Sequence, residues 1–157
     1  PEVLEAQQRG VFLDTAHGRQ NFSFEVARRI LDQGIRPDSI STDLTIPGRL
    51  QTVHSMTEML SRFLALGFSL EEVIRMATAN PARALGMEDT LGSLDVGRTA
   101  DISVLQEVTG DWVFHDTEGN TLRGSKALVP VLTVKGGEVF SPDWGPRPWG
   151  WLPDSAS

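Results

Sequence analysis

At 157 residues the chain is long enough for one domain or two small ones. Its 39% hydrophobic and 22% charged residues describe an ordinary globular protein, with no apolar run of roughly eighteen residues to span a membrane and no basic leader. The net charge of −7 argues against nucleic-acid binding, and the lack of cysteine excludes disulfides, thiol catalysis and cysteine-based zinc sites. That composition fits a reducing cytoplasm.

In chain order, 1–10 reads as a helix with a glycine stop at Gly10. Val11-Phe12-Leu13-Asp14 is a short apolar strand that leads into the polar loop Thr15 to Asn21. Phe24, Ala27, Ile30 and Leu31 recur at helical spacing, with Ser23 as N-cap and Gly34 closing the helix. The β-branched run Ser39-Ile40-Ser41-Thr42-Asp43 follows as a second strand. A strand–helix–strand crossover of this length favours parallel pairing, so His17 and Asp43 should emerge at the same sheet edge.

A loop is expected from Leu44 to Thr52, around Pro47-Gly48. Val53, Met56, Leu60, Phe63 and Leu64 then mark an amphipathic helix ending at Gly67. Ser69-Leu70-Glu71-Glu72 matches a capping box and opens a further helix through Ala77, which Asn80-Pro81 should break. A last short helix is expected from Pro81 to Leu85, with proline at its first position.

From about residue 89 the pattern changes to β structure. Ala100–Leu105 is a strand candidate, Asp111–His115 and Leu122 flank the turn Glu118-Gly119-Asn120, and Leu128–Val134 and Glu138–Phe140 flank Gly136-Gly137. Residues 89–157 hold 10 of the 21 acidic residues, 5 of the 14 basic ones and all four tryptophans. That shift separates a unit at 1–88 from one at 89–140. The tail 141–157, with Pro142, Pro146, Pro148 and Pro153 among three tryptophans, reads as an arm that packs on another surface.

Of the three histidines, His54 near a helix start and His115 in a hairpin read as structural. His17 follows a strand directly, between the small residues Ala16 and Gly18. Asp43 ends a strand, where a carboxylate caps a loop, binds a metal or serves as general base. Asp14 also ends a strand and reads as structural. One His and one Asp do not complete a metal site, and no G-x-S-x-G elbow supports a serine hydrolase.

Two segments carry a resemblance. Ala77-Thr78-Ala79-Asn80-Pro81-Ala82-Arg83-Ala84-Leu85-Gly86, followed by Leu91-Gly92-Ser93-Leu94-Asp95-Val96-Gly97-Arg98-Thr99-Ala100-Asp101-Ile102, resembles the C-terminal signature of the metal-dependent amidohydrolases. Ala16-His17-Gly18, Phe22-Ser23-Phe24-Glu25-Val26-Ala27 and Ile40-Ser41-Thr42-Asp43-Leu44 are similar to the dihydroorotase-like branch that deacetylates acetylated 2-hydroxy acids. Thr45 departs from that branch, where a histidine follows the Asp-Leu pair.

The resemblance implies an α/β fold: the C-terminal part of a TIM (β/α)8 barrel, strands seven and eight with their helices, followed by a small β-sandwich segment. It implies that Asp43 contacts a divalent metal, most often zinc, and shuttles a proton, and that His17 and Gly18 face a small-molecule substrate. A barrel needs about 250 residues, so this chain alone should be inactive and should associate through its exposed barrel face, as a homo-oligomer or with another chain. The alternatives are a non-catalytic shortened relative acting as a subunit or interaction module, and an unrelated small α/β hydrolase.

Overall fold

The computed structural model describes residues 2–49, 55–142 and 154–155. After α1 (Glu2–Gln8), the strand β1 (Asp14–Ala16), helix α2 (Phe24–Asp32) and strand β2 (Ser39–Ser41) form the expected crossover. The strands pair in parallel, with Asp14 opposite Ser39 and Ala16 opposite Ser41.

The first strand lies later than expected, sharing only Asp14 with Val11–Asp14 and taking in Thr15 and Ala16 from the expected loop, and β2 stops short of Thr42 and Asp43. Asp38 Oδ2 accepts the Leu13 amide at 2.9 Å, and the Leu13 carbonyl accepts from the Asp38 and Ser39 amides, so the regular ladder starts only at Asp14. At the far end Asp43 takes a left-handed φ of 46°, which an extended strand cannot contain. Asp14 is structural as expected: its carboxylate accepts from the Ser39 hydroxyl and, at 2.5 Å, from the Ser41 hydroxyl.

The cap of α2 differs from expectation. Ser23 Oγ donates to Glu118 Oε2 at 2.8 Å and makes no cap, while the Phe24 amide donates to Asp116 Oδ2 at 3.0 Å. The capping carboxylate thus comes from the distant hairpin turn. At the other end Gly34, at φ 79°, reverses the chain, and the Ile35 amide donates back to the Ile30 carbonyl at 3.1 Å.

Where a loop was expected, a short helix α3 (Ile46–Arg49) forms. The next helix, α4 (Met56–Ala65), is capped by Ser55, whose Oγ accepts the Glu58 amide at 3.2 Å. It buries Met59, Leu60 and Phe63; Val53 and His54, expected at its start, lie outside the described residues. The capping box of α5 (Leu70–Ala77) is formed in full by Ser69 and Glu72. The helix ends at Ala77 as expected, but the break is at Thr78 rather than at Asn80-Pro81, and α6 (Ala79–Ala84) starts earlier than Pro81 and carries it in its first turn. Proline is tolerated there because first-turn amides have no intrahelical acceptor.

The second half is one antiparallel sheet in the order β5-β4-β3-β6, made of β3 (Ile102–His115), β4 (Thr121–Lys135), β5 (Glu138–Phe140) and β6 (Asp154–Ser155). Both expected hairpins are present. The two strand candidates before the first turn are a single β3, with an irregularity between Thr109 and Trp112. A second sandwich layer is not formed among the described residues. Of the tail expected at 141–157, only 141–142 and 154–155 are described.

The sheet reaches the crossover unit through α4, which packs on β4. Gly124 permits the approach, since a Cβ there would stand 2.8 Å from the Ala65 Cβ. Buried Ser61 ties the two elements: its Oγ accepts the Leu128 amide at 2.8 Å and donates to the Thr57 carbonyl at 2.6 Å. One core therefore runs from Phe22, Phe24 and Ile40 through Met59, Phe63 and Phe68 to Phe114, Leu122 and Leu128. Burying each such side chain contributes about 1.5–3 kcal/mol.

Candidate active site

The parallel pair delivers two loops to its carboxyl edge. His17 and Gly18 follow β1 at once, and Asp43 lies two residues beyond β2. The Gly18 amide donates to the Thr42 carbonyl at 2.9 Å, which ties the loops together. Asp43 is exposed, and its Oδ2 accepts from Asn21 Nδ2 at 3.0 Å. Gly18 has φ 54°, and a Cβ there would lie 2.4 Å from Asp43 Oδ2 and 2.8 Å from Asn21 Nδ2. The space that a side chain would fill at Gly18 therefore holds the Asp43 carboxylate.

His17 faces inward. Its side chain is fully buried and stacks on Phe22 with ring centroids 5.0 Å apart. Nδ1 lies 2.9 Å from the Gly18 carbonyl, an acceptor, so the neutral ring carries its proton on Nδ1. Nε2 is buried and has no hydrogen-bond partner among the described residues.

Burial first, and next the charge of Arg62, lower the His17 pKa from 6.5 to about 4. The Gly18 and His115 carbonyls, which suit a protonated ring, and the Glu58 carboxylate offset part of this. Arg62 and Glu58 are themselves buried on α4 and pair at 3.1 Å. His17 is thus held neutral.

The loop that carries His17 is braced from the hairpin turn. Phe22, under the imidazole, accepts at its carbonyl from the Thr117 hydroxyl at 2.7 Å and the Thr117 amide at 3.1 Å. Asp116 is 4% exposed and accepts from the Phe24, Glu118 and Asn120 amides and the Asn120 side chain. Burial favours its neutral acid, but these donors outweigh burial and hold its pKa below the ordinary carboxylate value.

The sequence reading placed His17, Gly18 and Asp43 at one edge, and the structure brings the two loops into contact there. It does not complete a metal centre: among the described residues no three His, Cys, Asp or Glu side chains converge. Asp43 suits a single metal donor, being exposed and oriented by a neutral amide. The His115 backbone also acts on the His17 ring.

Asn21, Arg62, Glu58 and Asp116 were not singled out from the sequence. The Asp116-x-x-x-Asn120 spacing across a Gly119 turn was a visible signal for an Asx-type turn, though not for its contact with α2.

Comparison with known proteins agrees with this architecture. Residues 14–139 match the Amidohydrolase family, and the chain belongs to that family. It is 28% identical over 137 residues to a deacetylase of Enterococcus faecalis, covering 87% of this chain and 37% of that one. Among solved structures, an adenine deaminase superposes with a TM-score of 0.83 at 27% identity, over 88% of this chain and 38% of the other. A dihydroorotase superposes with a TM-score of 0.79 at 32% identity, over 89% and 38%. The chain spans little more than a third of the length of these proteins.

Proposed function

We propose that this chain is the C-terminal portion of a metal-dependent amidohydrolase that hydrolyses an amide or ester bond of a small molecule. On this reading β1 and β2 are barrel strands seven and eight, 1–88 belongs to the catalytic domain, and the sheet at 89–140 is one part of a small sandwich. The observation that carries it is the placement of Asp43 and the His17–Gly18 loop at the carboxyl edge of a parallel pair, inside the family match. Active sites of such barrels form at that edge.

A divalent metal, zinc being the first candidate, would supply Lewis-acid activation of water and polarisation of the scissile carbonyl. Among the described residues Asp43 is the donor this reading uses; the others must come from elsewhere. Asp43 accepts the proton of the attacking water and passes it to the leaving amine or alcohol, which departs neutral as the carboxylic acid forms. Gly18 leaves room for that carboxylate, and its loop is the wall a substrate would meet. Contact between His17 and a substrate requires the packing over its ring to open; as folded here, the ring seats the loop.

Deacetylation and ring-opening hydrolysis both fit this chemistry, in keeping with the deacetylase and dihydroorotase likenesses. A second reading, a non-catalytic module that associates with another chain, draws on an apolar cleft of about 590 Å³ between α4, α5, α6 and β3, beside exposed Leu85 and Leu94. The native coding frame separates the two readings. About 200 further residues with a His-x-His pair, and amide or ester hydrolysis abolished by a chelator, would support the enzyme. A frame starting beside Pro1, with no such activity, would refute it.

No helix among the described residues is long and apolar enough to cross a membrane.

A further inference from the structure

Asp43 has unusual surroundings for an exposed carboxylate. Its backbone is left-handed at φ 46°, its Oδ2 lies 3.0 Å from Asn21 Nδ2, and Gly18 leaves no room beside it for another carbon. Asn21 is itself placed by its amide, which donates to the His17 carbonyl at 3.1 Å, and Gly18 is tied to Thr42 at 2.9 Å. The two loops thus bring a side-chain amide to one oxygen of the carboxylate from a fixed direction.

We infer that Asn21 is a positioning residue for Asp43, an inference that rests on the reactive role proposed for that carboxylate. The chemistry suits the task. Only the NH2 end of the Asn21 amide can face a carboxylate, so the orientation of the amide is fixed by its partner. An amide is neutral and does not ionise near neutral pH, so it fixes Oδ2 without competing for the proton that Asp43 transfers. Oδ1 is left to carry that proton. A lysine or histidine in the same place would orient the carboxylate but could take the proton itself.

The test compares Asn21→Ala, Asn21→Asp and Asn21→Ser with wild type and Asp43→Asn, in the complete protein that carries this chain. The readouts are kcat, KM, melting temperature, metal per protein and the Asn21 side-chain amide resonances. Losing the amide should lower kcat by about 10–100-fold, the range for partners that orient a functional ligand, with KM within about two-fold. Asn21→Asp keeps the shape but sets a second carboxylate about 3 Å from the first, so it should fall below alanine. Asn21→Ser, which keeps a short donor, should lie between alanine and wild type. The Asn21 amide resonances should shift in Asp43→Asn.

Wild-type kcat in Asn21→Ala, with Asp43→Asn inactive, would overturn the inference alone. Wild-type kcat in Asp43→Asn would instead overturn the role of Asp43 beneath it. Losses in Asn21→Ala and Asn21→Asp that are equal and follow the drop in melting temperature would assign Asn21 a merely structural part, and the inference would fail.

Discussion

Acidification from neutral pH should weaken this fold first through the side chain of His17. Its ring is fully buried and its pKa is lowered from 6.5 to about 4, chiefly by burial and next by Arg62. The folded state therefore favours the neutral ring, and the unfolded chain takes up a proton first as pH falls. Between pH 6.5 and about 4 the unfolded state binds more protons, so stability declines on acidification across that window. It is complete above 6.5 and levels off, for this group, below about 4.

The drop from 6.5 to about 4 corresponds to about 3 kcal/mol in total, and to about 2 kcal/mol between pH 7 and pH 5. The assay is urea unfolding of wild type and His17→Asn at both pH values, with the His17 ring followed by NMR. Wild type should lose about 2 kcal/mol more than the variant on going to pH 5. A ring that titrates near 6.5, or equal losses in both proteins, would refute the reasoning.

Three further outcomes follow from the same contacts. Gly18→Ala forces a left-handed alanine, costing roughly 1–2 kcal/mol, and drives a methyl into the Asp43 carboxylate; thermal melting and turnover should both fall. Arg62→Met strands the buried Glu58 charge and should destabilise by about 3–5 kcal/mol in urea unfolding, while replacing both residues with apolar ones should recover most of the loss. Asp116→Ala removes the α2 cap and the turn bonds, at a cost of about 2 kcal/mol or more. Because the Asp116 pKa is lowered in the fold, its stabilisation is present above the ordinary carboxylate pKa and lost as pH falls through the folded value; Asp116→Asn should flatten that acid limb.

The crossover unit was legible in the sequence because its signals are local. β-branched runs, a helical repeat with a glycine stop and strand ends marked by polar residues are all set within some thirty residues, and the Ser69–Glu72 box lies within four. The loops bearing His17 and Asp43 followed from pairing direction alone.

What escaped depends on contacts between distant segments. Asp116 caps a helix 92 residues earlier in the chain, so Ser23 took the role on paper and not in the fold. Glu58 and Arg62 carry no mark of burial in the sequence, yet the fold buries them as a pair on α4. The Asn21–Asp43 contact sits where Gly18 and Asp43 both adopt left-handed conformations, and spacing does not reveal such a bend.

The central claim, that Asp43 is the reacting carboxylate of an amidohydrolase, is tested most directly by turnover of Asp43→Asn in the complete protein. The substitution keeps shape and removes the proton acceptor. The account predicts that kcat falls by at least about 100-fold, as for loss of a general base, with melting temperature and the parallel pairing unchanged. Turnover equal to wild type would contradict it.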